Sequence, residues 1–316
     1  MKVAALVVAV VFVAWIALHA RTSRPDGRAL PMHPFRRLLL YLLPSRNGAV
    51  VYFDAYPRAE KLLAWLEKTK DRCGANVTHA AVAGCFLGLA STPRMNRFVV
   101  GNRLYERDGR WITFSMKRQK MDRAAQLSTV KLRIEDGESF RQLCERINGG
   151  IGQERSGKKT KADKEIDFFN FFPRPLLRAG AALLAKADEF GLLPGWYIRE
   201  DPMYTSIFLA NLGSLGMGAG YHHLFEYGNC PLFIMLGQVE DKPVVEDGKV
   251  VVGKVLHVRF TYEERIDDGL NARFGIEALV RVLEDPDRWL GGTDDASDFA
   301  LWPREDWVEK KDAKSA

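Results

Sequence analysis

Apolar residues follow three different rhythms along this chain. Residues 3–18 form an unbroken apolar run rich in valine and alanine. Wound as a helix at about 1.5 Å per residue, and extended to the interface by Met1, His19 and Ala20, the run approaches the roughly 30 Å of a hydrocarbon core. Trp15 suits an interfacial anchor. Residues 21–47 then mix Pro25, Pro31, Pro34 and Pro44 with several arginines. Inside that stretch, residues 35–43 read as a short basic amphipathic helix that either lies on anionic headgroups or packs its leucines on the domain that follows.

From residue 48 the pattern is that of a packed domain. Residues 49–53 read as a strand, and 58–69 and 76–90 as helices. Short strands follow at 97–100, 104–106, 111–117 and 127–134, with Asp108-Gly109 as a tight hairpin turn between the second and third. Residues 139–148 are helical with Ser139 as the cap, and 152–165 read as an exposed basic loop. Between 166 and 190 runs a strong apolar stripe that includes Phe168, Phe169, Phe171, Leu176 and Leu183, with Pro173 and Pro175 starting a helix. Such a stripe points to core or to a subunit interface. Three more strands lie at 204–211, 232–239 and 254–263, with Asp247-Gly248 turning between the last two, before a closing helix at 270–283. The expected organisation is a membrane anchor at 1–20, a basic juxtamembrane linker at 21–47, an α+β domain at 48–290 and a polar tail at 291–316. Hairpins with clustered helices give that α+β class.

Charge and cysteine content narrow the picture. The 316 residues carry 46 Lys and Arg against 40 Asp and Glu, a net charge of +6 and a pI near 9.1. The excess sits in two patches, at 21–37 and 155–164, without interleaved aromatics, so nucleic acid is not an expected partner. Cys73, Cys85, Cys144 and Cys230 have no paired spacing and read as free thiols in a reducing compartment. Basic residues after the apolar run put the body of the protein on the cytoplasmic side, with inner-membrane lipid as partner through the helix and its basic flank. A cleaved signal peptide is the alternative, which the poor cleavage site Leu18-His19-Ala20 disfavours.

Three segments, in order, carry a family resemblance. Thr205-Ser206-Ile207-Phe208-Leu209-Ala210-Asn211-Leu212-Gly213 resembles an F-T-I-S-[NS]-L-G strand, and Leu236-Gly237 with Lys242-Pro243-Val244-Val245 and Asp247-Gly248 resembles an I-L-G…K-P-V-V-x-D-G hairpin. Phe260 to Gly269 resembles the [ST]-[YF]-D-H-R-x-x-D-G signature, followed by a helix and Leu283-Glu284-Asp285-Pro286. This set is similar to the acyltransferase domain of 2-oxoacid dehydrogenase complexes, a fold shared with chloramphenicol acetyltransferase. The resemblance spans residues 48–290 and implies a two-layer sandwich of mixed sheet and helices, assembled as a homotrimer with substrates meeting between subunits.

It also implies acyl transfer between a coenzyme A thioester and a thiol or hydroxyl. A histidine deprotonates the nucleophile and a hydroxyl on the S-[NS]-L-G strand stabilises the oxyanion. This chain departs from the pattern at both reacting positions. Glu264 stands where the family has its histidine, and Ala210 where it has the hydroxyl, followed by Asn211. A free glutamate titrates near 4.3, about two units below histidine, and is a weaker base. His222 and His223 are alternative bases, and Asn211 an alternative oxyanion donor. Asp268 is expected to pair with Arg58, while Arg265, Gly269 and Gly213 hold the local frame. Coenzyme A is expected only as a thioester co-substrate; no covalent lipoyl site is visible, and no metal-ligand spacing is present. The competing reading is a non-catalytic trimer that acts as a scaffold or as a binder of CoA or an acyl ligand.

Overall fold

A computed structural model describes residues 2–119, 126–135, 137–157 and 161–290. The expected polar tail at 291–316 lies outside the described residues. Helix α1 (Lys2–Ala20) has no buried residue and is apolar all round. Such a helix has no side suited to water, and its 19 residues are long enough to cross a bilayer.

The segment expected as a linker is instead built into the domain. Strand β1 (Gly27–Ala29) pairs with β4 (Arg103–Arg107), which also pairs with β3 (Arg97–Val100). Arg24 is buried between Asp26 and Asp188, at 2.9 and 2.8 Å. Helix α2 (Pro34–Leu42) starts with proline at its first turn, where no backbone donor is wasted. The His33 ring accepts from the Phe35 amide to cap it, and Leu40 is fully buried. Its other side leaves Phe35, Leu38, Tyr41 and Leu42 exposed. Carboxylates elsewhere in the fold neutralise arginines that looked, in sequence, like a solvated flank.

The main sheet has six strands in the order β2-β9-β8-β7-β5-β6. These are β2 (Val50–Ala55), β5 (Arg110–Lys117), β6 (Leu127–Ile134), β7 (Ile207–Asn211), β8 (Leu232–Glu246) and β9 (Lys249–Glu263). Pairings of β7 with β5 and with β8 are parallel and the rest antiparallel, so the sheet is mixed as expected. The hairpin expected at Asp108-Gly109 does not form. There the chain leaves the three-stranded sheet at β4 and enters the six-stranded one at β5, since each strand has better partners than the other.

Helices α3 (Glu60–Cys73), α4 (Val77–Ser91), α5 (Phe140–Arg155) and α9 (Gly269–Glu284) cover one face of the sheet, followed by α10 (Pro286–Leu290). Helix α4 is buried along most of its length. A Cβ at Gly84 would sit 2.5 Å from the Leu279 side chain, so glycine is what lets α4 and α9 meet. Phe114, Leu209, Ile234, Leu236, Val258 and Phe260 fill the interior beneath them. Phe208, Ala210, Phe233 and Met235 form a smaller cluster on the other face, the alternation that a strand's period of two imposes. The stretch read as an exposed loop is partly helical: α5 continues to Arg155 and α6 (Lys161–Asn170) begins shortly after, with residues 158–160 outside the described ones. Helices α7 (Arg174–Glu189) and α8 (Gly195–Glu200) lead back to β7.

Candidate active site

Four consecutive-looking carboxylates at the end of β9 meet four different fates. Glu263 has no exposed surface and accepts from Arg46 at 2.9 Å and Arg265 at 2.6 Å. Arg265 in turn holds the Leu43 and Pro44 carbonyls at 3.0 and 3.1 Å, tying the strand end to the segment before β2. Asp267 is buried beside Arg97 at 3.1 Å, with Arg36 at 3.5 Å. Asp268 caps α9, accepting from the Leu270 and Asn271 amides at 3.1 and 3.2 Å. Glu264 points outward; its backbone amide is tied to the Ala49 carbonyl at 2.8 Å and its side chain faces solvent. Burial, with Glu264 and Asp268 nearby, pushes the Tyr262 phenol above its usual value.

The expected pair of Arg58 with Asp268 is not formed. Arg58 binds Glu60 at 2.8 Å and Glu246 at 3.4 Å. Asp268 is better placed at the start of α9, where free N–H groups and the helix dipole favour a carboxylate. Gly269 opens that helix. The arginine contacts expected of Asp268 belong to its neighbour Asp267.

His222 and His223 lie over the sheet face opposite the helices, toward the same end as Glu264. The His222 ring stacks on Phe233 at 4.0 Å and on His223 at 4.9 Å, and Thr261 donates to the His222 carbonyl at 2.8 Å. The Nδ1 atoms of His222 and His223 reach the His223 and Leu224 carbonyls at 2.6 and 2.9 Å. A carbonyl only accepts, so each Nδ1 donates, and a neutral ring then keeps its lone pair on Nε2. Burial lowers the His222 pKa, which favours the neutral ring.

Asn211 ends β7 at the other end of the sheet. It lines a cleft of about 520 Å³ together with Thr78, Ser115, Arg155 and Gln238, a size that suits a small ligand. Its side-chain oxygen accepts from the Ser214 amide at 3.0 Å and its nitrogen donates to Thr78 at 3.0 Å. One amide N–H is thus used to fix the side chain, and the second has no partner among the described residues. Gly213 has no room for a side chain: a Cβ would sit 2.2 Å from the Gly237 carbonyl oxygen, at the bulge of β8. Sequence reading missed Thr78, Ser115 and Gln238. Ser115 lies beside Ala210 in the parallel register of β5 and β7, a neighbour that no local pattern discloses.

Within one chain the two halves of the expected site stay apart. Asn211 pairs with Leu236, and Leu236 with Val258. Glu264 lies six residues beyond Val258, just past the end of β9, roughly 20 Å at about 3.3 Å per residue. Among the described residues no group of three His, Cys, Asp or Glu side chains could hold a metal ion.

The fold and part of the sequence are similar to those of known acyltransferase catalytic domains. Residues 199–291 match the family model of the 2-oxoacid dehydrogenases acyltransferase catalytic domain. The chain is 41% identical over 64 residues, 20% of its length, to the dihydrolipoyllysine-residue succinyltransferase component of the 2-oxoglutarate dehydrogenase complex of Cupriavidus necator. That match spans only 15% of the relative's own length. In structure the chain is similar to the cubic core of the pyruvate dehydrogenase multienzyme complex (TM-score 0.51, 17% identity, 82% of this chain and 92% of that one). It is also similar to a truncated catalytic core of the 2-oxoacid dehydrogenase multienzyme complex from Thermoplasma acidophilum (TM-score 0.50, 15% identity, 81% of this chain and 98% of that one). At such identities the structural likeness establishes the fold.

Proposed function

We propose that this protein transfers an acyl group from an acyl-CoA thioester to a small thiol or hydroxyl acceptor, in a homotrimer whose sites lie between subunits. The observation that supports the reading is that Asn211 ends β7 and Glu264 follows the last residue of β9, at opposite ends of one sheet. Neither half is a site alone, and a neighbouring copy would bring them together. Exposed Val245, Val250 and Val252 at the tip of the β8–β9 hairpin, and the exposed side of α2, supply apolar surface for such contacts.

In this reading Glu264 takes the acceptor's proton and the acceptor attacks the thioester carbonyl. Asn211 donates its second amide N–H to the developing oxyanion. The tetrahedral intermediate collapses, the C–S bond breaks, and the CoA thiolate recovers the proton from Glu264. Arg155 and Lys117, at the cleft, suit a ligand that carries phosphates. The N-terminal helix anchors the protein in the membrane with the domain on the cytoplasmic side, as its basic flank suggests.

A second reading has its own observation. Ala210 removes the strand hydroxyl and Glu264 replaces an imidazole, which fits a trimer that binds CoA or an acyl ligand without turnover. Thiol release and thermal stabilisation, followed across acyl-CoA chain lengths with the full-length protein in detergent, separate the two. Thiol release identifies the enzyme, and stabilisation without release identifies the binder. The absence of both overturns the acyl-CoA reading.

A further inference from the structure

Helix α7 has apolar residues on two sides. Leu184 and Ala187 pack inward against the cluster of Leu193, Ile198 and Tyr204. Leu176, Ala179 and Leu183, spaced three and four residues apart on another stripe, face solvent. The end of α6 adds Phe168 and Phe169, and the turn into α7 adds Phe171, which are 61%, 56% and 85% exposed. An apolar surface of this extent marks a contact with something other than water.

Several acidic groups around it are paired within the chain, while Asp167 on α6 is exposed. Asp163 on α6 is taken up by Arg118 at 2.8 Å, Asp188 on α7 by Arg24, and Glu189 by Lys186 at 2.6 Å. Lys164, Arg174 and Arg178 remain on the solvent side. Phenylalanine and leucine flanked by lysine and arginine is the composition of a helix that lies in a bilayer interface.

The same surface begins where α1 ends. The His19 ring lies 5.0 Å from Phe190, just past α7, and Arg103 donates to the His19 carbonyl. Arg24 donates to the Asp188 carbonyl at 2.7 Å, and Gly191 passes so close to Ser23 that a Cβ would sit 2.6 Å from its carbonyl oxygen. The foot of the candidate span is therefore docked on the C-terminal end of α7. From there α7 extends for 16 residues, roughly 24 Å at about 1.5 Å each.

We infer that the outer face of the α6–α7 hairpin rests on an acidic phospholipid bilayer beside the span formed by α1. This rests on the reading of α1 as a membrane anchor. Charge complementarity and continuity with α1 favour lipid over a second copy of the chain.

Photo-crosslinking of the full chain tests the inference. Benzoylphenylalanine replaces Val10, Phe169, Phe171 or Asp241, one at a time, in vesicles of phosphatidylcholine with phosphatidylglycerol. The expected result is a phospholipid adduct at 169 and 171 and none at 241, with a several-fold lower yield when phosphatidylglycerol is omitted. A chain-to-chain product at 169 and 171, or no product there, overturns the proposal while an adduct at position 10 leaves the anchor standing. Adducts at 169 and 171 without one at 10 refute the anchor and the placement beside a span, and leave the hairpin as the lipid contact.

Discussion

Glu263 and Glu264 are chemically alike and adjacent, yet strand alternation sends one into the protein and the other out of it. Two substitutions separate their roles. Glu263→Gln strands Arg46 and Arg265 in a buried site and is expected to cost about 3–5 kcal/mol of stability, the usual scale for breaking a buried ion pair. A shift of the urea midpoint measures it. Glu264→Gln removes an exposed carboxylate and is expected to leave that midpoint unchanged while lowering turnover on the order of 100-fold. Should it keep full activity while His222→Ala abolishes turnover, the base is the histidine with the free Nε2. Asp268→Ala is expected to cost only about 1 kcal/mol, the loss of a helix cap. The motif made Glu264 and Asp268 stand out in sequence. It left the arginine partners hidden, because Arg97 and Arg36 reach Asp267 across about 170 and 230 residues of chain.

At the level of elements, apolar periodicity located the β8–β9 hairpin, α4, α9 and the cap at Ser139. It missed how β4 and β5 part into two sheets, since pairing partners are chosen by the whole fold. Helix α4 shows what a cap can add. The His79 ring is buried and accepts from the Asn76 amide through Nδ1 at 3.2 Å, which leaves the proton on Nε2, 3.1 Å from the Asn148 side-chain oxygen. Burial lowers its pKa from 6.5 to about 4. The unfolded chain therefore binds a proton that the folded one refuses. Stability is full above pH 6.5, falls as the pH drops from there toward about 4, and loses no more through this group below that. The urea midpoint should fall between pH 7.5 and 5, and fall less in His79→Gln. An equal fall in both would assign the acid sensitivity to other groups.

Among the described residues, exposed apolar surface includes stretches along α1, on the α6–α7 hairpin, at the β8–β9 tip and on α2. The apolar run and the stripe at 166–190 were legible in sequence as surfaces in need of partners, but which side of each helix stayed bare depended on packing. The trimer predicts a mass near three chains in detergent, and a monomer would contradict it. The most direct test of the central claim mixes two inactive variants, Glu264→Gln and Asn211→Ala, by co-expression. If each site takes Glu264 from one subunit and Asn211 from the next, random mixing restores intact sites and about a quarter of the wild-type rate, as a three-fold ring requires. Mixed assemblies as inactive as either variant alone, beside an active wild type, would contradict a site shared between subunits.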